Sequence, residues 1–214
     1  MLEHVTWFRQ AAVRWQEAGR TVYVDPWGTG DDPPPADLIL ITHAHFDPFR
    51  PDEIEKLRRP ETRLIAPLDV ANELTGDVTP VRPGETYEVG GVRIATVPAY
   101  NTREEALGFH PKGNGWVGYV MELGGTTYYH AGDTDHAPEL DDVRADVAFL
   151  PIGGHFTMDW RAAAGLAKTI EPSVAVPIHY GFVICSPSDG LRFRDAAAPV
   201  AVELIAPVDD FEQG

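Results

Sequence analysis

His43, His45 and Asp47 stand at alternate positions directly after an apolar run, in Ile39-Leu40-Ile41-Thr42-His43-Ala44-His45-Phe46-Asp47-Pro48. In an extended or loop backbone, residues i, i+2 and i+4 can point the same way. Imidazole nitrogens and a carboxylate oxygen grouped there suit zinc and similar divalent ions. The chemistry open to such a site is activation of water, whose pKa falls from 15.7 to about 7 on zinc. The plain alternative is a polar turn after a strand. Three ligand-type residues at alternate positions argue against it.

Three further stretches place ligand-type residues in loops, two of them after apolar strands. They are residues 126–135, with His130, Asp133 and Asp135; residues 174–181, with His179 and Tyr180; and the loop 109–115, with His110. Ligands supplied from several strand-end loops let a rigid scaffold hold a metal site open to substrate.

The elements that must position these loops are mostly strands. Residues 5–8, 12–15 and 21–24 are rich in β-branched and aromatic residues, with a hairpin turn at Ala18-Gly19-Arg20. The apolar run 38–41 reads as a buried strand. Pro51-Asp52-Glu53 starts a helix, because proline suits the first helical position and acids suit the positive end of the dipole. Residues 62–66 predict a strand and 68–74 a short helix. Two or three strands fill 78–97, around a Gly90-Gly91 turn. A hairpin spans 117–129 across Gly124-Gly125. Strands follow at 147–150 and 174–178, with an alanine-rich helix over 159–170 between them. A last helix opens after residues 186–189 with serine as N-cap, and 201–205 reads as a final strand. Many strands with helices inserted after some of them make a mixed α/β chain.

The chain has 214 residues, 43% of them hydrophobic, enough for one sizeable core and read here as a single domain over 1–214. No apolar stretch approaches the roughly 20 residues of a membrane span. The polar start Met1-Leu2-Glu3-His4 carries no secretory signal, so a cytoplasmic location is expected. The single cysteine, Cys185, excludes an intramolecular disulfide. The net charge of -16, from 17 basic and 33 acidic residues, repels nucleic acid and anionic membranes. A small-molecule substrate is therefore expected, and a homo-oligomer stays open.

The ordered set of residues 21–27, 42–47, 129–135, 149–154 and 177–181 resembles the metallo-β-lactamase fold superfamily of metal-dependent hydrolases. The likeness is to its small single-domain branch of ascorbate-6-phosphate lactonase-like and uncharacterised metal-dependent hydrolase proteins, and covers nearly the whole chain. It implies a four-layer αββα sandwich. The family pattern His-x-His-x-Asp-His reads here His43-Ala44-His45-Phe46-Asp47-Pro48. The resemblance implies that His43 and His45 bind the first metal and Asp47 the second, that Asp133 bridges the two, and that His179 is the late histidine of the second site. Pro48 replaces a histidine ligand and leaves one second-site donor missing. The remaining first-site histidine often follows a strand, where this chain has Pro98-Ala99-Tyr100-Asn101. Asn101 is a poor zinc ligand, so His110, nine residues on, is expected to reach back.

Several residues keep more than one reading. His155 could fill the vacancy left by Pro48, orient substrate, or support a ligand from behind. His130 is expected behind the ligands or in packing. Asp25 is expected to hold a ligating histidine in one tautomer. Tyr180 could donate to an oxyanion or simply pack. The resemblance implies hydrolysis of an ester, lactone, amide or phosphodiester by metal-activated water, with Asp47 and Asp133 positioning that water. The cofactor expected is one or two zinc ions, with Mn, Ni or Fe open. Two other classes stay open: a metal-binding protein with little turnover, and an iron-type oxidoreductase of the same fold.

Overall fold

The computed structural model describes residues 2–211. Met1 and residues 212–214, which the single-domain reading includes, lie outside the described residues. Two six-stranded sheets carry the fold. In the first, β1 (Val5–Trp7), β2 (Val13–Glu17) and β3 (Arg20–Val24) form an antiparallel meander. β3 then pairs in parallel with β4 (Leu38–Leu40), which pairs with β5 (Arg63–Pro67) and β6 (Val78–Val81). The second sheet repeats this plan. β7 (Thr86–Val89), β8 (Val92–Pro98), β9 (Val117–Leu123) and β10 (Thr126–His130) are antiparallel; β11 (Val147–Pro151) and β12 (Val174–Ile178) continue in parallel.

Strand β4 shows why two cores exist. Side chains alternate between faces of a strand. Leu38 and Leu40 join the large core shared by both sheets, whereas Ile39 and Ile41 join a second core beneath the first sheet. Helices α1 (Pro51–Leu57) and α2 (Leu68–Glu73) close that second core with Ile54, Leu57 and Val70. On the other side, α3 (Trp160–Ile170) packs against β11 and against α4 (Asp189–Ala197). The order is helices, sheet, sheet, helices: the expected αββα sandwich. Between the sheets, Trp15 packs edge-on to Phe149 at 5.2 Å and Tyr128 at 5.8 Å. Leu40 is fully buried, and Leu40→Ala would cost about 2–5 kcal/mol.

The hairpin turns are where the glycine pairs predicted them. Gly124 and Gly125 both take positive φ, 59° and 83°, as a type I′ turn demands. Two predictions of local structure fail. Ser188 occupies the N-cap of α4 but makes no side-chain cap bond. The local bonds are taken by Asp189, whose Oδ2 accepts from the Ser186 N–H at 2.9 Å, and by Ser186, whose Oγ accepts from the Ser188 N–H at 3.2 Å. The strand predicted over 201–205 reduces to one bridge between Ala175 and Val202, because the chain touches the β12 edge only there. Serine does not cap this helix; aspartate does cap α3, where Asp159 accepts from the N–H groups of Arg161 and Ala162.

Candidate metal centre

The residues with ligand atoms follow the C-terminal ends of strands, where α/β sheets place their ligand sites. His43 follows β4, Asp133 follows β10 and His179 follows β12. Among the described residues, two groups bring their ligand atoms within 4.8 Å of one another: His43, His45 and His110, and Asp47, Asp133 and His179. These are the six residues singled out as ligands in the sequence. Close approach of the loops depends on Gly132 (φ 64°), where a Cβ would meet Thr42 Cβ and the Val117 carbonyl at 3.0 Å.

Two of the three histidines, His43 and His110, are held from behind by hydrogen bonds. Asp25 Oδ1 accepts from the Thr42 N–H at 2.8 Å, and its Oδ2 accepts from the Thr42 hydroxyl at 2.7 Å. That hydroxyl lies 2.8 Å from His43 Nδ1. With Asp25 ionised, the hydroxyl accepts from the Nδ1–H and leaves the Nε2 lone pair free. Burial raises the Asp25 carboxyl well above the ordinary range, against the two bonds from Thr42. Asp25 thus acts on His43 through Thr42. Asn101 does the same for His110. Its Oδ1 lies 2.9 Å from His110 Nδ1 and its amide donates to the Phe156 carbonyl at 2.8 Å. A carboxamide oxygen only accepts, so His110 carries its proton on Nδ1. Asn101 therefore orients His110 and stands outside both groups.

A cation fits these residues on the structure's own terms. His43 Nε2 and His110 Nε2 are buried with no hydrogen-bond partner among the described residues, as is Asp133 Oδ1. Unpaired buried polar atoms are costly, and a metal ion resolves all three. Burial pushes His43 down to about 3, and it lowers His45 with help from the neighbouring His110. Both are thereby kept as neutral imidazoles, the form that binds metal. Trp116 lies against all three rings, 4.9–5.6 Å between centroids, and its indole donates to Asp69 at 2.7 Å.

The second group is held by charge. His179 Nε2 lies 3.0 Å from Asp133 Oδ2 and 3.5 Å from Asp47 Oδ2. Burial alone would lower His179, but the two carboxylates raise it to about 10. Burial likewise opposes ionisation of Asp133, yet the His179, His110 and His43 imidazoles hold its carboxyl well below the usual range. Asp133 Oδ2 also lies 3.7 Å from His43 Nε2 and 3.5 Å from His110 Nε2. One carboxylate therefore faces both groups.

The family is settled by comparison with known proteins. Residues 4–179 match the model of a beta-lactamase superfamily domain. A UPF0173 metal-dependent hydrolase of Thermococcus kodakarensis is 37% identical over 180 residues, covering 77% of this chain and 79% of that protein. The chain belongs to the UPF0173 metal-dependent hydrolases of the metallo-β-lactamase superfamily. A crystal structure from Parabacteroides distasonis has 31% identity and a TM-score of 0.84, covering 94% of this chain and 91% of that one. Igni18, a metallo hydrolase of Ignicoccus hospitalis, has 26% identity and a TM-score of 0.77, covering 96% and 95%.

Four further residues lie outside both ligand groups, His130 and Tyr180 in the packed positions that were among their expected readings. His155 is exposed, in neither ligand group, and its ring packs on Phe109 and Phe156 at 5.3 and 4.6 Å. It reaches neither ligand group, because its loop holds it on the aromatic rim. His130 is buried, with Nε2 2.8 Å from the Ala11 carbonyl and Nδ1 accepting from the Gly132 N–H. Tyr180 stacks on Trp7 at 5.2 Å, and burial pushes its hydroxyl up to about 12; it is a packed tyrosine outside the cavity lining. Asp135, noted in the sequence, accepts from Arg103 Nε at 3.0 Å and from two backbone N–H groups, and Arg103 also donates to the Gly154 and Thr157 carbonyls. Arg103, Trp116 and Gln10 carried no motif signal, and Thr42 was read only as part of residues 42–47; their contacts across the fold reveal their roles.

The two groups open into a cavity of about 230 Å³. Its walls are Phe46, Phe109, Phe156 and Val183, its acids are Asp47 and Asp133, and among the described residues no lysine or arginine lines it.

Proposed function

We propose that this chain hydrolyses a small, uncharged carboxylic ester, lactone or amide with metal-activated water, phosphodiesters being the less favoured class. The cofactor proposed is zinc, one or two ions, with Mn, Ni or Fe as substitutes. The observation that carries this reading is Asp133 Oδ2, 3.5 Å and 3.7 Å from two imidazole nitrogens of one group and 3.0 Å from that of the other.

His43, His45 and His110 would hold one ion through neutral nitrogens. Asp47, Asp133 and His179 would hold the other, in an atypical site with Pro48 where a histidine is expected. Bound divalent ions supply acidified water near neutral pH and a Lewis acid for the substrate oxygen. Asp47 and Asp133, the only acids among the described residues that line the cavity, would orient the attacking water and take up its proton. The apolar walls suit an uncharged acyl or leaving group and exclude bulk water. With no fixed cation in the lining, a phosphodiester would rely on the ions alone.

The test is a panel of an aryl ester, a γ-lactone and an aryl phosphodiester, assayed before and after chelation. The reading expects acyl turnover, lost on chelation and restored by zinc. A protein with its ions bound and inert toward the whole panel would contradict it, and oxygen consumption by an iron form would point to the oxidoreductase class.

A further inference from the structure

Position 48 offers no donor atom, and the three residues of the second group leave a tetrahedral ion one ligand short. The loop between β1 and β2 brings a fourth candidate to it. Gln10 is 97% removed from solvent and lines the cavity beside Asp47, Asp133 and His179. Its backbone is tied to the end of β12, because the Gln10 carbonyl accepts from the His179 N–H at 2.8 Å and also from the Trp7 indole at 2.8 Å. Its φ of 46° lies in the left-handed region that glutamine rarely adopts.

The side chain is poised and incompletely used. Gln10 Nε2 lies 3.3 Å from His179 Nε2, while Gln10 Oε1 is buried without a hydrogen-bond partner. His179 Nε2 already faces Asp133 Oδ2 at 3.0 Å, so a proton there is committed. A protonated or metal-bound Nε2 has no lone pair for the glutamine NH2. Carboxamide oxygen and nitrogen have nearly the same shape, and hydrogen-bond logic decides between them. The orientation that satisfies both groups turns the oxygen toward His179. Spacing agrees with shared coordination. Ligand atoms about 2.1 Å from a tetrahedral zinc lie about 3.4 Å apart. From His179 Nε2, the carboxylates stand at 3.0 and 3.5 Å and the Gln10 amide at 3.3 Å.

We infer that the Gln10 carboxamide oxygen supplies the donor that Pro48 lacks, completing the second site with Asp47, Asp133 and His179. This rests on the reading that these residues hold metal. It makes the second site oxygen-rich, with one nitrogen, against three nitrogens in the first. Harder ions such as manganese are therefore accepted better in the second site than in the first.

The test is a titration of the full chain with zinc and with manganese, with bound metal counted by elemental analysis. Wild type is expected to hold two ions. Gln10→Leu should weaken the second by about tenfold or more and leave the first unchanged, with the fold checked by circular dichroism. Gln10→Glu, which keeps the oxygen and adds charge, should bind the second ion more tightly; if the leucine variant does not fold, this arm decides. A wild-type protein with one ion, a leucine variant with wild-type second-ion affinity, or a glutamate variant with no tightening overturns the inference. Turnover is not read, so a two-ion protein without hydrolysis would sink the hydrolase reading and leave this one standing.

Discussion

The two ligand groups meet at Asp133 but are built on opposite principles. His43 and His110 are fixed from behind by neutral partners, Thr42 and Asn101, and their Nε2 atoms face Asp133 Oδ2 at 3.7 and 3.5 Å without a hydrogen bond among the described residues. Asp47, Asp133 and His179 are fixed by one another, with charge opposing charge. The first group offers unshared lone pairs on His43 and His110, which suit a cation. The second partly satisfies itself as an ion pair, so an incoming metal must displace the His179 proton. Two buried histidines show the difference directly. His130, with backbone partners and aromatic neighbours, is pushed down to about 4, while His179, beside two carboxylates, is raised to about 10. Burial alone makes a neutral histidine; added carboxylates reverse its sign.

The strongest way to break this comparison is Asp133→Asn. It removes the charge that both groups face, so hydrolysis should fall below detection and bound metal should drop at both sites. Unchanged activity on a confirmed substrate would refute the assignment. His110→Ala and Asp47→Ala sharpen it further: elemental analysis should show each variant losing one ion and keeping the other.

A control without metal comes from His130. Its folded pKa lies near 4 and the ordinary value is 6.5, so the unfolded chain takes up a proton first as pH falls. The stabilisation is complete above about pH 6.5 and is lost between there and pH 4, about 3 kcal/mol for a fully buried group. Denaturant melts of metal-free protein across that window should show the decline, and His130→Gln should flatten part of it. An equal slope in the variant would contradict burial as the cause.

Smaller effects concern support and access. Asn101→Ala should weaken the first ion by about 10–100-fold and leave the second alone, because it frees the His110 ring. Phe46 is 65% exposed at the mouth, so Phe46→Ser should raise KM a few-fold with kcat nearly unchanged.

Much of this was legible in the sequence, for physical reasons. Strands and hairpins were readable because short apolar runs such as residues 38–41 and glycine pairs such as Gly124-Gly125 act locally. Of the six ligand candidates, His43, His45 and Asp47 were readable from their alternate spacing, while Asp133, His179 and His110 were placed through the resemblance to the family. Gln10 was not readable, since its partner His179 is 169 positions away and a single glutamine carries no pattern. His155 misled for the converse reason: its residue type suits a metal, but its loop holds it on the rim with Phe109 and Phe156. At α4 the serine N-cap position was readable, but the Ser188 hydroxyl lies 2.9 Å from that of Ser186 and makes no cap bond.

The most direct test is a crystal structure with anomalous diffraction recorded at the edge of the bound metal. The account predicts one peak among His43, His45 and His110 and a second among Asp47, Asp133 and His179, with Asp133 between them. Peaks elsewhere, or metal-bound protein with neither group occupied, would contradict it.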